Sequence, residues 1–337
     1  MSRNRVEKGE KSDSALVTGG AGFVGLHLVK RILNETDWHI LVVDNFDRAR
    51  KDSAFGELLE NPRVSLHDID LTDLDSVVDL PDVEWIFHLA AVVGVKNVES
   101  RPTDVLEINA LSTINIARYA QSCHRLKCLL FSSTSEVYAG TLEHFGIPIP
   151  TPETTPIALS DIFKTRTSYA LSKLFGEAVL HASSANAAYR SIVVRYHNVY
   201  GPRMGYMHVI PELLDRMRKE DEIEVFSPKH TRAFCFVEDA VRITLHLALY
   251  GEASGVYNVG NSHCEITMLD LAKKIRSVGG FNCQLSGGRD NPGSPVRRCP
   301  DISKVQHELG SQTFCPLDTG LRETIEWYQI EGRIRYE

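Results

Sequence analysis

The chain has 337 residues, of which 43% are hydrophobic and 24% are charged, and this composition excludes disordered, fibrous and low-complexity classes of protein. A chain of this length predicts about two domains. The net charge of −7 argues against a general binder of nucleic acids or anionic membranes, because such binding requires dense basic patches.

The first thirteen residues and the cysteines indicate the cellular setting. Residues 1–13 alternate basic and acidic side chains without an apolar core, which predicts a frayed, disordered tail and not a signal peptide. The seven cysteines are an odd number with no C-x-x-C pair, which indicates a reduced, cytoplasmic protein. We predict no membrane span and no metal site.

A strand, a glycine-rich turn and a helix follow the tail. Residues 15–17 predict a buried strand, and residues 26–33 predict an amphipathic helix. The G-x-x-G-x-x-G spacing between them permits a tight turn, close approach of a pyrophosphate and packing of helix on strand, so it predicts a dinucleotide site. The predicted cofactor residues of this turn are Gly19, Gly22, Phe23, Val24 and Gly25.

An acidic residue follows the second predicted strand. Asp44 comes directly after residues 39–43, nineteen positions beyond Gly25. A carboxylate at this point can accept both ribose hydroxyls and would repel a 2′-phosphate, so the sequence favours NAD over NADP. Arg48 and Arg50 keep NADP open as an alternative.

Strands continue to alternate with helices beyond Asp44. The predicted strands are 64–67, 85–89, 126–131 and 191–195, and the predicted helices are 73–79, 105–120 and 168–182. This alternation predicts an α/β fold with a Rossmann-type doubly wound parallel sheet, whose ligands lie beyond the carboxyl ends of the strands. The further predicted cofactor residues are Asn45, Asp70, Leu71, Leu89, Ala90, Ala91, Asn109, Ser132, Tyr169 and Lys173.

The second half of the chain is less regular. Residues 139–167 carry four prolines and predict a long surface loop, which at this length is usually functional or a lid. Residues 203–337 mix helices with short strands and predict a smaller mixed α/β domain.

A tyrosine and a lysine at helical spacing follow that loop. Tyr169 and Lys173 stand at i and i+4 on one helical face, and Thr134 follows the fifth strand. A nearby ammonium lowers the pKa of a phenol, which lets the tyrosinate take a proton from a substrate alcohol while hydride leaves the same carbon. Thr134 can hydrogen-bond the same oxygen. A tyrosine and a lysine at this spacing are common in helices, so Tyr169 and Lys173 indicate catalysis only in combination with the glycine turn.

The order and spacing of the motifs resemble the extended short-chain dehydrogenase/reductases, specifically the NAD-dependent nucleotide-sugar epimerase/dehydratase group. The resemblance covers roughly residues 14–325. The motifs that carry it are 18–25, 88–91, 132–134, 169–173, 195–203, 231–239, 257–260 and 297–304.

The resemblance implies two domains and two ligands. Residues 14–200 would form an NAD-binding Rossmann domain and residues 201–337 a domain that binds a nucleoside diphosphate sugar, with an interleaved plan, in which part of 232–262 returns to the first domain, left open. A homodimer through helices 105–120 and 168–182 is also implied. The residues implied to bind substrate are Lys96, Thr134, Asn198, Arg203, Val209, Arg232, Arg297 and Arg298.

Individual roles follow from position in the motifs. Asn198 resembles the residue that contacts the sugar diphosphate, and Val209 the wall beside the nucleobase. Arg232 and one of Arg297 or Arg298 resemble its phosphate partners, which suits guanidinium groups because they pair bidentately with phosphate. Lys96 could pair with the carboxylate of a uronic acid, or it could be a solvated lysine of a loop.

The type of reaction depends on Glu136. In this family, oxidation at C4 of the sugar gives a ketone that activates C5, and an added carboxylate favours chemistry there. The Thr134-x-Glu136 pattern resembles UDP-glucuronate decarboxylases and GDP-mannose 4,6-dehydratases, and an extended strand end would place both side chains on one side. Ser135 stands where many dTDP-glucose dehydratases carry an aspartate, which argues against a dehydratase. Residues 92–96 do not resemble the sugar loop of the decarboxylases and are more typical of an epimerase.

Three alternatives remain to the expected C5 chemistry. One is a 4-epimerase of the UDP-glucose or UDP-glucuronate type, one a net NAD(P)H-dependent ketone reductase, and one a non-catalytic dinucleotide-binding scaffold. A reductase of a neutral ketone would not need residues that bind a diphosphate, which argues against the second alternative. A non-catalytic scaffold would not need Thr134, Tyr169 and Lys173 intact, which argues against the third. The predicted catalytic residues are Thr134, Glu136, Tyr169 and Lys173.

Overall fold

Strands and helices alternate through the first half of the chain in the computed structural model, which describes residues 12–159, 161–291, 295–310 and 313–331. The strands are β1 (Ser14–Thr18), β2 (His39–Val43), β3 (Val64–His67), β4 (Trp85–His88), β5 (Cys128–Thr134), β6 (Arg190–Tyr196), β7 (Val199–Tyr200), β8 (Glu222–Val225), β9 (Thr231–Ala233), β10 (Cys235–Phe236), β11 (Gly255–Val259), β12 (Glu265–Thr267), β13 (Gln284–Gly287) and β14 (Arg297–Arg298).

The helices fill the connections between these strands. They are α1 (Phe23–Glu35), α2 (Ser53–Leu59), α3 (Leu74–Val78), α4 (Val95–Ser100), α5 (Pro102–Ser122), α6 (Ala139–His144), α7 (Thr167–Ser184), α8 (Val209–Lys219), α9 (Val237–Tyr250), α10 (Met268–Gly279), α11 (Ser303–Leu309) and α12 (Leu317–Glu331). Among the described residues, no helix is both long and apolar enough to cross a membrane.

The large sheet has seven strands in the order β11-β6-β5-β4-β1-β2-β3. Every pair in it is parallel, and the strand order reverses between β1 and β4, where such sheets bind ligands beyond the carboxyl ends. The predicted Rossmann-type fold is therefore confirmed. β11 closes one edge of this sheet although it lies late in the chain, and the boundary between two domains stays a prediction.

Both faces of the sheet are buried because helices cover each of them. Successive strand residues point to opposite faces, so Val17 and Val42 enter one apolar core while Leu16 and Leu41 enter the other. This double burial explains the continuous apolar runs that identify the strands in the sequence.

The turn between β1 and α1 leaves no room for side chains at two of its glycines. Gly19 has φ +69°, and a Cβ there would lie 2.9 Å from the backbone of Ala90. A Cβ at Gly25 would lie 2.1 Å from the carbonyl oxygen of Gly19. The first turn of α1 therefore packs directly on the glycine turn, and the glycine turn packs on the segment that follows β4.

A small three-stranded sheet brings two distant arginines side by side. β9 pairs antiparallel with β12 and parallel with β14. In the second pair, Arg232 of β9 is in register with Arg298 of β14.

Three local predictions differ from the structure. Residues 1–11 lie outside the described residues, but Asp13, predicted to be in the tail, accepts hydrogen bonds from Trp85 and Lys127. β5 continues three residues past its predicted end at position 131. The segment 139–167 is not entirely a surface loop, because it begins with α6 and because Thr151 forms a parallel bridge with Pro300.

The steric argument at Gly25 predicts opposite effects for two alanine substitutions. Gly25→Ala should lower the free energy of unfolding by about 1–3 kcal/mol, because backbone must move to admit the methyl group. Gly56→Ala is the control: this glycine lies in exposed α2 with no atom within 4 Å of its added Cβ, so alanine should stabilise by about 0.5–1 kcal/mol. Urea denaturation measures both, and equal effects would contradict the packing.

Candidate active site

A cleft of about 1030 Å³ lies beyond the carboxyl ends of the strands. Most residues predicted for cofactor, substrate or catalysis line it, although they come from widely separated parts of the chain. These residues are Gly19, Gly22, Phe23, Val24, Gly25, Asp44, Asn45, Asp70, Leu71, Leu89, Ala90, Ala91, Ser132, Thr134, Glu136, Tyr169, Lys173, Asn198, Arg203 and Arg298.

The glycine turn fits the pyrophosphate of a dinucleotide. α1 begins at Phe23 with Gly22 as its N-cap, and neither a side-chain cap nor an acidic residue occupies its first turn. The free N–H groups and the helix dipole at this end favour an anion. NAD is the group that would be held here, by this turn together with Asp44.

Asp44 is placed at the end of β2 by the turn itself. Its carboxylate accepts hydrogen bonds from the backbone N–H of Ala21 at 3.1 Å and of Phe46 at 3.0 Å. Burial raises the pKa of Asp44 above its ordinary value, and these two hydrogen bonds oppose that rise. An acceptor fixed in this way suits ribose hydroxyls.

The tyrosine and lysine of α7 lie against the end of β5. The buried Lys173 donates from Nζ to the carbonyl oxygen of Ser132 at 2.7 Å, and burial lowers the pKa of Lys173 to about 7. Burial and the charge of Glu136 raise the pKa of Tyr169, while a hydrogen bond with the Thr134 side chain lowers it. The prediction of a lowered phenol pKa is therefore wrong for this state, and Tyr169 carries its proton at neutral pH.

Glu136 reaches the cleft by a different route from the one expected. The chain leaves β5 in a 3₁₀ turn, Ser135–Tyr138, in which Thr134 Oγ1 accepts from the Glu136 N–H at 3.2 Å, so the expected extended strand end is wrong. The carboxylate of Glu136 accepts a hydrogen bond from Arg298 Nη1 at 2.7 Å. Arg298 thus faces the predicted catalytic residues.

Three arginines surround this one carboxylate. Arg298 lowers the pKa of Glu136 most strongly, and Arg166 and Arg232 add to the effect while burial opposes it. Burial, followed by repulsion from Arg298, lowers the pKa of Arg232 to about 10. Arg166 also lines the cleft and was missed by sequence analysis, although its place just before Tyr169 was a usable signal. Two of these arginines, Arg166 and Arg298, line the cleft together with Glu136, whereas Arg232 lies outside its lining.

Two arginines predicted to bind substrate are occupied by protein groups. Arg203 donates to Asp52 at 2.8 Å and to the carbonyl oxygen of Ala21 at 3.0 Å, so it braces the glycine turn. Arg297 is exposed and forms two hydrogen bonds with Glu265. Both guanidinium groups are thus held by protein acceptors, and their predicted contacts with the substrate stay predictions.

The other residues away from the cleft lining have separate outcomes. Asn109 is buried and binds both backbone groups of Val92 and the hydroxyl of Ser172, so it tethers a loop, and its predicted contact with the cofactor stays a prediction. Val209 begins α8 and packs partly buried against the core, and its role beside a nucleobase stays a prediction. The Lys96 side chain lies outside the described residues.

Asn198 lines the cleft in an unusual backbone conformation. Its φ is +41°, and its side-chain amide donates to the carbonyl oxygen of Ala233 at 3.2 Å. Its predicted contact with a sugar diphosphate stays a prediction.

Comparison with known proteins places the chain in a family. Residues 15–260 match the model of the NAD dependent epimerase/dehydratase family. The chain belongs to this family. The expected family, an NAD-dependent enzyme family with NAD as cofactor, is thereby confirmed.

Alignments with relatives of named activity cover most of this chain. It is 31% identical over 330 residues to UDP-N-acetyl-alpha-D-glucosaminuronate decarboxylase of Bacillus cytotoxicus, covering 93% of this chain and 97% of the relative. It is 30% identical over 311 residues to UDP-glucuronic acid decarboxylase 4 of Arabidopsis thaliana, covering 91% of this chain but only 66% of that relative. The Bordetella bronchiseptica enzyme WbmF, solved in complex with NAD+, is 28% identical with a TM-score of 0.80, covering 96% of this chain and 94% of WbmF.

Replacement of the tyrosine tests the assigned chemistry. Tyr169→Phe should lower turnover by about 10²–10⁴-fold, the usual contribution of a general acid or base, while NAD stays bound. In the parent protein, the rate of oxidation at C4 should rise with pH above neutrality, because the raised pKa of Tyr169 leaves little phenolate at pH 7.

The measurements are turnover and the nicotinamide content of the purified variant. Tyr250→Phe is the control, since this tyrosine is 67% exposed and lies outside the cleft lining. Full turnover in Tyr169→Phe would contradict the role.

Proposed function

We propose that this protein is an NAD-dependent decarboxylase of a nucleoside diphosphate uronic acid, with UDP as the nucleotide. The observation that carries the proposal is that Arg298, which donates to Glu136, and Arg166 line the cleft together with Tyr169, because a neutral sugar requires no such positive charge at its reacting end. Its similarity to the decarboxylases of Bacillus cytotoxicus and Arabidopsis thaliana supports the proposal.

Oxidation at C4 is the first step. NAD, when bound, supplies an acceptor for the hydride that leaves C4. Tyr169 takes the proton of the C4 hydroxyl once it is in its phenolate form, and Thr134 hydrogen-bonds the same oxygen. Lys173 is fixed by the carbonyl of Ser132 one helical turn beyond Tyr169, in position to hold the ribose of the cofactor.

Loss of carbon dioxide follows from the ketone. The bond between C5 and the carboxylate breaks, its electron pair passes to the C4 carbonyl oxygen as an enolate, and Tyr169 and Thr134 hydrogen-bond that oxygen. Arg298 attracts the substrate carboxylate, whereas the ionised Glu136 repels it. This repulsion favours departure as neutral carbon dioxide. C5 then takes a proton, and the C4 ketone takes back hydride while Tyr169 returns the proton to the C4 oxygen.

The diphosphate would be bound farther along the cleft. Asn198 lines the cleft at the end of β6, and Arg232 lies in register with Arg298 on the adjacent strand. Because Arg298 lines the cleft, we expect the neighbouring guanidinium of Arg232 to be close enough to pair with a phosphate oxygen.

A homodimer is the assembly that we propose. α5 and α7 pack against each other and leave Leu106, Leu111 and Phe175 exposed by 37%, 38% and 41%, which is an apolar face typical of an interface. Sedimentation velocity should return twice the mass of one chain. Phe175→Glu should shift it to a single chain, and a wild-type monomer would contradict the proposal.

A cytoplasmic location accompanies this function. All seven cysteines are free in the structure, as expected in a reducing compartment. Mass analysis of protein purified without reductant should find no disulfide, and a native disulfide would argue against this location.

Incubation with a panel of nucleotide sugars tests the reaction directly. UDP-glucuronic acid should lose carbon dioxide, whereas UDP-glucose should keep its mass, because only the acid has a group for Arg298 to attract. Glu136→Gln should slow carbon dioxide release by about 10²-fold. Glu143→Gln is the control, since this glutamate is exposed near the end of α6 and pairs with Lys164.

Mass spectrometry separates the outcomes. Loss of water from a sugar would indicate a dehydratase instead. An epimer of unchanged mass would indicate a 4-epimerase, and either result would contradict the proposal.

A further inference from the structure

The segment that carries Arg298 is held by the long loop before α7. β14 ends at Arg298, and the next three residues run beside Thr151. The Thr151 N–H donates to the carbonyl of Cys299 at 2.9 Å, and its carbonyl accepts from the Asp301 N–H at 2.9 Å. The direction in which Arg298 enters the cleft therefore depends on this loop.

Asn258 joins that loop to the large sheet. It lies in β11 and is fully buried. Its amide nitrogen donates to the carbonyls of Thr151 at 2.9 Å and Asp301 at 3.1 Å, and its amide oxygen accepts from the Tyr138 hydroxyl at 3.0 Å and pairs with His197 Nε2 at 3.0 Å. Both donors and both acceptor positions are used, so the orientation of the amide is fixed.

Tyr138 connects this junction to the other half of the ion pair. It ends the 3₁₀ turn that carries Glu136, two residues earlier. Its hydroxyl accepts a hydrogen bond from Arg195 at 2.8 Å, and Arg195 binds both oxygens of Glu177, at 2.9 and 2.6 Å. Glu177 lies on α7 one turn beyond Lys173.

The hydrogen bond between Tyr138 and Asn258 therefore links the segment of Glu136 with the segment of Arg298. We infer that Tyr138 and Asn258 form a positioning pair that holds Glu136 and Arg298 in register for the step at C5, and that oxidation at C4 does not need them. This inference rests on the proposed decarboxylase activity. Thr134 and Tyr169 take their positions from β5 and α7 directly, so loss of the Tyr138 hydroxyl should leave them in place.

The test separates the two chemical steps within one turnover. Tyr138→Phe removes only the hydroxyl, and single-turnover measurements with UDP-glucuronic acid follow the absorbance of reduced nicotinamide and the release of carbon dioxide. Reduction should keep its rate within about twofold, whereas carbon dioxide release should slow by about tenfold or more, the size expected when a catalytic group is misplaced. Reduced nicotinamide should accumulate as a result.

Two further variants support the interpretation. Asn258→Asp keeps the acceptor for Tyr138 but loses the donors to Thr151 and Asp301, so it should also slow carbon dioxide release selectively. Tyr119→Phe is the matched control, because Tyr119 is also buried and donates its hydroxyl to the carbonyl of Pro81, which lies outside the hydrogen bonds of Asn258. It should leave both steps unchanged.

Each outcome is decisive. Equal slowing of both steps, or loss of folding in Tyr138→Phe, would assign the pair a general structural role and overturn the inference. Unchanged rates would overturn it as well. If the parent protein reduces nicotinamide but releases no carbon dioxide, the proposed function itself fails and the inference falls with it.

Discussion

The ion pair between Glu136 and Arg298 is the interaction on which the chemistry of this site depends. It joins side chains 162 residues apart and brings the end of β5 against the C-terminal small sheet. The pair is partly buried, with the Arg298 side chain exposed by 15% and that of Glu136 by 35%. Its consequence is electrostatic, since it holds an ionised carboxylate and a guanidinium beside Tyr169, where a charged substituent of the sugar would lie.

Two parts of the fold position the residues around this ion pair. The parallel sheet and its glycine turn place a dinucleotide site beside Tyr169 and Lys173, which suffices for oxidation and reduction at one carbon. A buried polar network of Tyr138, Asn258 and Arg195 then connects that sheet to the strand of Arg298. Every member of a buried network needs its partners satisfied, which makes the position of the arginine strongly specified.

The sequence predicted the parts of the site that depend on local spacing. The glycine turn, Asp44 and the Tyr169 and Lys173 pair each follow from short-range rules of strands and helices. Arg298 facing Glu136, Arg203 bracing the glycine turn and Asn109 tethering a loop could not be predicted, because each depends on a tertiary contact between distant segments. The predicted direction of the pKa shift of Tyr169 was wrong for the same reason. The spacing of Tyr169 and Lys173 in the sequence does not show that Tyr169 is buried or that Glu136 lies nearby.

We propose that a transient ketone at C4 activates C5, and this chemistry gives the hydrogen atoms at these two carbons different origins. The reaction of UDP-glucuronic acid is run in deuterium oxide, and the product is examined by nuclear magnetic resonance. We predict deuterium at C5, which takes its proton from exchangeable groups, and none at C4, whose hydrogen leaves and returns as hydride. A product without deuterium at C5 would contradict the account.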